Sequence, residues 1–121
     1  MIARKLRYLA IPLEQCGKTN PVSASREVLA EARAHFADHC ATCHANDGSG
    51  KTAIRQNAYP KAPDLRLPDT QLMSDGESFF VIHNGIRSTG MQEFGKGKPE
   101  EGLDSWRLVR FIRHLPNLTA A

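Results

Sequence analysis

Apolar residues recur at helical spacing in several stretches of this 121-residue chain. The first stretch places Val28, Ala32, Phe36 and Cys40 four positions apart, on one face of a helix. Ser25 stands where an N-cap is expected, because its hydroxyl can accept a hydrogen bond from a free amide of the first turn. The pattern predicts a helix that begins after Ser25 and runs directly into a pair of cysteines.

Two more helices are predicted in the second half of the chain. Ser74 and Glu77 are spaced as a capping box, and an apolar run closed by Asn-Gly follows them. These signals predict a helix over residues 75–83. A last amphipathic helix is predicted over residues 101–115, and Pro116 ends it because proline has no N–H to continue the ladder.

The remaining residues lack a sustained period. Residues 1–24 are predicted to form an irregular N-terminal arm or linker, followed by one domain over residues 25–121. Residues 45–68 and 85–102 are rich in Gly and Pro and predict long loops, which are unusual in a compact domain unless they wrap something. No alternation long enough for a strand is present, so the expected class is all-α.

Composition and charge exclude several classes of protein. With 40% apolar residues the chain fits one domain with a small core, and its net charge of +3 forms no basic stripe of the kind that binds nucleic acid. The basic residues Arg107, Arg110 and Arg113 are predicted to form one solvated helix face. The longest apolar run has six residues and contains Pro12, so neither a membrane span nor an export signal is visible.

The sequence Cys40-Ala-Thr-Cys43-His44 is the most informative stretch, because C-x-x-C-H is typical of a c-type haem attachment site. Two thiols one helical turn apart can each add to one vinyl group of the same porphyrin, and His44 can then bind the iron. Half of a zinc site and a redox dithiol are alternatives, although the first needs four ligands and the second expects a βαβ context. Cys16 stands alone and is predicted to be a free thiol.

A second iron ligand has to come from elsewhere in the chain. The candidates are Met73, Met91, His35, His39, His83 and His114. Met91 is favoured because it lies in a Gly-rich loop that can aim a thioether inward. Met73 precedes a helix cap and is expected to pack, whereas His83 on the apolar helix stays an alternative ligand.

Several features over residues 25–118, taken in order, resemble the class I cytochrome c family. They are Phe36 four positions before the first cysteine, the C-x-x-C-H motif, Ala62-Pro63-Asp64-Leu65, the stretch from Asn84 to Met91, and the last helix. The resemblance implies a small fold of about three main helices, with long loops wrapped around one covalent haem c and its iron.

The resemblance also implies roles for individual residues. The positions that it places at the haem or the iron are Cys40, Cys43, His44, Met91, Pro63 and Leu65. The cysteines would form the thioether links, and His44 and Met91 would bind the iron. The Pro63 carbonyl would accept a hydrogen bond from the His44 ring, and Leu65 would pack on the haem.

Three further side chains, Arg55, Tyr59 and Arg66, lie where they could reach a haem propionate. Two positions depart from the family's usual pattern. Ala45 stands where the family often has glycine after the haem histidine, and Gln92 stands where it often has proline after the axial methionine.

The implied function is one-electron transfer by a His/Met-ligated haem, not bond-making catalysis. The chain would act as a carrier, or as a haem domain or subunit of a respiratory chain, and would meet redox proteins as donor and acceptor in transient contacts. Its expected location is the periplasm, with the arm at residues 1–24 available for docking to a membrane complex. The alternative is a gas-binding or peroxidatic haem protein in which Met91 leaves the iron.

Overall fold

A computed structural model gives the fold, and it describes residues 11–53, 64–85 and 101–117. The helices are α1 (Leu13–Cys16), α2 (Arg26–His39), α3 (Ala41–His44), α4 (Pro68–Gln71), α5 (Asp75–Asn84) and α6 (Glu101–His114), with a 3₁₀ turn at Leu115–Asn117. No strand occurs in these ranges. The three long helices α2, α5 and α6 are the predicted ones, and the all-α class is confirmed.

The helix ends follow from local chemistry that the sequence predicts. At the start of α2, the Ser25 hydroxyl accepts a hydrogen bond from the amide of Val28 at 3.1 Å. At the start of α5, the Ser74 hydroxyl accepts from the Glu77 amide at 3.1 Å, and the Glu77 carboxylate accepts from the Ser74 amide at 2.8 Å. The capping box is therefore complete, and it satisfies amides that the first helical turn leaves without a partner.

The core forms where α2 crosses α6. The rings of Phe36 and Phe111 lie 5.1 Å apart, tilted by 50°, and both side chains are almost fully buried. Ala32 comes one turn before Phe36 and is completely buried, which confirms the predicted apolar face of α2. From α6 and the turn after it, the core also takes Trp106, Leu108, Val109, Ile112 and Leu115.

Helix α5 packs on the other side of α6. Its Phe79 ring stacks on Trp106 with a centroid separation of 4.1 Å, and Ile82 lies in the shared core. The three long helices thus form one apolar cluster around α6. None of the helices in the described part of the chain combines the length and apolar character that a bilayer span requires.

The described part of the N-terminal arm is more ordered than the sequence predicts. It contains the short helix α1, and Ile11 and Asn20 are both buried. The Asn20 side-chain amide donates to the Trp106 carbonyl at 2.9 Å, and the Ser74 hydroxyl donates to the Cys16 carbonyl at 2.7 Å. Residues 11–24 therefore lie against the helices of the predicted domain. Single polar contacts of this kind leave no periodic pattern in a sequence. The sequence therefore did not predict that residues 11–24 pack on the domain.

The expectation that the last helix presents three solvated arginines is wrong. Arg107 pairs with an aspartate one turn earlier, at 2.8 Å. Arg110 donates to the Val22 carbonyl at 2.6 Å, and Arg113 donates to the Asp75 carboxylate at 3.0 Å. Each guanidinium has several donors, so it can tie backbone carbonyls and carboxylates of other segments to α6.

A glycine at the start of α5 makes the docking of the arm possible. A Cβ atom at Gly76 would lie 1.9 Å from the Gln15 carbonyl oxygen, which is backbone and cannot turn aside. We expect Gly76→Ala to displace residues 11–24 and to lower the free energy of unfolding by about 1–3 kcal/mol, the range for overpacking. Denaturant unfolding and hydrogen exchange of the arm amides would measure both effects.

Gly102→Ala is the matched control, since a Cβ atom at this position in α6 meets nothing within 4 Å. We expect this control to leave stability unchanged or to raise it by up to about 1 kcal/mol, because alanine favours helix more than glycine does. Equal stability of the two variants would contradict the assigned role of Gly76.

Candidate functional site

The C-x-x-C-H sequence forms a helical turn at the end of α2. The Cys40 amide donates to the Phe36 carbonyl at 2.9 Å, so the turn continues directly from the core residue of α2. The Cys40 carbonyl in turn accepts from the amides of Cys43 at 3.2 Å and His44 at 3.0 Å. Side chains three and four positions apart are neighbours on a helix surface. The fold therefore places two thiols and an imidazole next to one another.

The chemistry of this donor set fits a covalent haem. None of the three cysteines of the chain forms a disulfide. Cys40 packs against the core together with Ala41. Burial, and to a smaller extent the charge interaction with Cys43, raise the pKa of the Cys40 thiol to about 11. Two free thiols, one of them packed against the core, and one imidazole are the groups that thioether attachment and iron ligation require.

The alternative metal chemistry finds no support in the described residues. In these residues one group of three possible metal ligands occurs, formed by Glu31, His35 and Asp104, with ligand atoms within 4.8 Å of one another. It includes neither Cys40 nor Cys43. The Arg107 guanidinium lies 2.8 Å from Asp104 and 3.7 Å from Glu31. These carboxylates already have a cation, so the group is an ion-pair network that joins α2 to α6.

The loop after His44 is fixed by backbone contacts. The amide of Gly50 donates to the His44 carbonyl at 2.8 Å, and the Leu65 amide donates to the Gly48 carbonyl at 2.7 Å. Gly48 has φ +79°, and a Cβ atom there would lie 2.6 Å from the Leu115 side chain. The loop therefore needs glycine at this position. The bond from the Leu65 amide brings Leu65, which is buried, to the segment that follows His44.

An ion pair occupies the turn at Leu65. The Arg66 guanidinium donates two hydrogen bonds to the Asp64 carboxylate, at 2.9 and 2.8 Å, and lies 3.8 Å from Asp47. The bond from Arg66 lowers the pKa of Asp64, and the same contact raises the pKa of Arg66. A hydrogen bond from Ser49 is the main reason that the pKa of Asp47 is lowered. Arg66 is thus already paired with carboxylates of the chain.

Four predicted site residues lie outside the described ranges. They are Met91, Pro63, Arg55 and Tyr59. The alternative ligand His83 is described, and its Nδ1 atom lies 3.0 Å from the Ser105 hydroxyl. The His83 ring also stacks on Phe79 at 5.0 Å. The Nδ1 atom is therefore engaged with Ser105, and an iron-ligand role for His83 would have to use Nε2.

Gln71 also lies at this site, and it was not predicted from the sequence. Its side-chain nitrogen donates to the Leu65 carbonyl at 2.8 Å and to the Ile112 carbonyl at 2.9 Å. One signal could have indicated it. Pro116 has no N–H, so the Ile112 carbonyl at the end of α6 has no donor four residues later and needs one from another segment.

The structure has three long helices joined through a core at α2 and α6, and a C-x-x-C-H turn at the end of α2. This arrangement defines a small c-type cytochrome. Residues 27–112 match the family model described as cytochrome c oxidase, cbb3-type, subunit III. The chain belongs to this family. Its cofactor is covalent haem c with its iron, and the domain serves haem-based electron transfer.

A solved structure has the same fold. The chain is similar to a component of the reducing HAO-like protein complex of Kuenenia stuttgartiensis, with a TM-score of 0.69 and 16% sequence identity. The match covers 78% of this chain and 46% of the other, so this chain spans about half the length of that structural relative. A comparison with curated protein sequences gave no match.

Strain at Ala45 can be tested directly. Ala45 ends the haem-binding turn with φ 65° and ψ 162°, whereas Gly85 ends α5 with nearly the same backbone angles. This region is close to glycine-only and costs about 1–3 kcal/mol for other residues. We therefore expect Ala45→Gly to stabilise the protein by about 1 kcal/mol in denaturant unfolding. The reciprocal control, Gly85→Ala, is expected to destabilise it, and a loss of stability in both variants would contradict the strain.

Proposed function

We propose that this cytochrome transfers single electrons through one haem c attached at Cys40 and Cys43 and ligated by His44 and Met91. The observation that carries the proposal is the helical turn in which Cys40 joins α2 to both Cys43 and His44 through hydrogen bonds. The turn is rigid because it continues from the core at Phe36, and a rigid ligand frame keeps reorganisation on electron transfer small.

When bound, the haem supplies a one-electron iron couple, and His/Met ligation favours a relatively high potential. The residues of the chain would bind and orient this group. As the family resemblance implies, the Pro63 carbonyl would orient the His44 ring and so raise the basicity of the ligand. Leu65, buried beside the loop after His44, contributes apolar surface against the porphyrin. Arg55 and Tyr59 would bind a haem propionate.

We further propose that the domain works within a respiratory chain, as a carrier or as a haem subunit of a larger assembly. The family description as an oxidase subunit supports the second arrangement. Donor and acceptor are then redox proteins that meet the haem edge transiently, and the arm at residues 1–24 serves as a segment that docks to a membrane complex. We propose a periplasmic location, and the need of covalent haem attachment for reduced thiols supports it.

The alternative, a gas-binding or peroxidatic haem protein, has no observation in its favour. It requires a vacant or easily displaced sixth position. The family match supports electron transfer.

Optical spectra of the matured protein test the ligand set. We expect a covalent c-type spectrum with the weak red band of a ferric iron–sulfur bond, and we expect Met91→Ala to abolish that band because no thioether then reaches the iron. Met73→Ala is the matched control. Met73 is half-buried between α4 and α5, its carbonyl accepts a hydrogen bond from Arg113, and the band should persist.

The same matured protein tests whether the haem is attached through the two cysteines. Cys40→Ser and Cys43→Ser should each leave the haem on one thioether link, whereas Cys16→Ser should change nothing because Cys16 belongs to α1 and not to the C-x-x-C-H turn. Wild-type protein without covalent haem would overturn the proposal. A covalent haem whose red band is unaffected by Met91→Ala would overturn Met91 as the ligand.

A further inference from the structure

The ion-pair network between α2 and α6 carries more negative charge than its guanidinium neutralises. Glu31 and Asp104 supply two carboxylates, and Arg107 supplies one positive charge, 3.7 Å from Glu31 and 2.8 Å from Asp104. Among these three side chains one negative charge is left over. A divalent cation in the place of the guanidinium would neutralise both carboxylates.

Arg107 is also incompletely satisfied in this position. Its Nη1 atom donates to Asp104, whereas its Nε atom is buried and has no hydrogen-bond partner within the described part of the chain. A buried donor without a partner lowers the stability of the arrangement that contains it. The side chain as a whole is 27% exposed, so the guanidinium can turn into solvent when another cation takes its place.

His35 adds a nitrogen ligand to the two carboxylates. Its Nε2 atom lies 3.8 Å from the Asp104 carboxylate, and one ligand atom from each of Glu31, His35 and Asp104 lies within 4.8 Å of the other two. Zinc binds histidine nitrogen and carboxylate oxygen at about 2.0–2.2 Å, so two of its ligand atoms lie at most about 4.4 Å apart. Small side-chain rotations are enough to bring the three atoms within that limit.

The two helices hold these ligands in place. Glu31 and His35 are four positions apart on α2, where side chains are neighbours on the helix surface. They precede the buried residues Ala32 and Phe36 by one position each, so they lie beside the core contact with α6. Asp104 reaches them from α6. Ligands on rigid helices keep their geometry better than ligands on loops do.

We propose that Glu31, His35 and Asp104 bind one divalent transition-metal ion of the zinc type, which displaces the Arg107 guanidinium. One imidazole nitrogen with two carboxylate oxygens is a ligand set for zinc, whereas magnesium and calcium take oxygen ligands. Three protein ligands leave the fourth position of the ion to water. The ion joins α2 to α6 at their crossing. The site uses none of the residues proposed to bind the haem, so it stands or falls independently of the haem.

Zinc titration of the matured protein, purified in the presence of a chelator, tests the site. Zinc has no redox chemistry, so it neither oxidises nor reduces the haem iron. We expect one zinc ion per chain by titration calorimetry. We also expect a higher midpoint of thermal unfolding, because an ion that binds only the folded chain stabilises it. Magnesium at the same concentration should produce neither effect.

Two substitutions that keep the size of the side chain test the ligands. His35→Gln and Asp104→Asn should each abolish saturable zinc binding and the shift of the midpoint, because each removes one of three ligands. His114→Gln is the matched control. His114 is an exposed histidine in the last turn of α6 and lies outside the group, so this variant should keep both the stoichiometry and the shift.

Arg107→Gln distinguishes a metal site from an ion-pair network alone. This substitution removes the competing cation and leaves the three ligands, so the dissociation constant for zinc should fall about fivefold, the upper range for the loss of one partly exposed ion pair. Without zinc the same variant should unfold at a lower temperature than wild type, because it has lost the guanidinium that contacts both carboxylates.

Wild-type protein that shows no saturable zinc binding would overturn the site, and so would unchanged binding in His35→Gln. An equal loss in His39→Gln would overturn the ligand set, since His39 stacks on His35 at 6.1 Å but lies outside the group. Weaker zinc binding in Arg107→Gln would overturn the displacement of the guanidinium. None of these results bears on the covalent haem, whose optical spectrum tests the proposed function separately.

Discussion

The contact between Phe36 and Phe111 at the crossing of α2 and α6 fixes the geometry of everything else in the described structure. The haem-binding turn begins at Cys40, whose amide bonds to the carbonyl of Phe36. The site is therefore not carried by a free loop. Its first residue is one helical turn away from a nearly inaccessible ring in the core.

Helix α6 also organises the irregular segments, and it does so with polar groups. Its carbonyls accept from Asn20 of the arm and from Gln71 of the short helix α4. Its arginines donate to Val22 and to the segment around Asp75. These bonds are individually modest, about 0.5–1.5 kcal/mol for the neutral amides and about 1.5–3 kcal/mol for the charged arginines. Together they let segments without regular structure take defined positions around a small core.

A small core explains why this fold suits a covalent cofactor. Folded chains of this size bury a limited fraction of their surface, and long connections add little to it. A porphyrin held by two thioether links adds a large apolar surface that cannot dissociate. The same attachment fixes the iron to α2 through the Cys40 turn, so the helix that builds the core also orients the redox centre.

The sequence alone determined the long helices, their caps and the attachment motif, because these depend on local spacing. The face that carries Phe36, the capping box at Ser74 and the C-x-x-C-H order can all be recognised without knowing any neighbour in space. The described residues confirm the helices, and Met91 stays a prediction because it lies outside them.

Only the tertiary structure decided which polar side chains connect separate segments. The helical spacing of Arg113 predicts a solvated side chain, and no pattern around Gln71 predicts its contacts. Both bond to carbonyls about 40 residues away in sequence. A hydrogen bond of this kind depends on which unsatisfied carbonyl the fold brings within reach, and no periodic pattern along the chain records that distance.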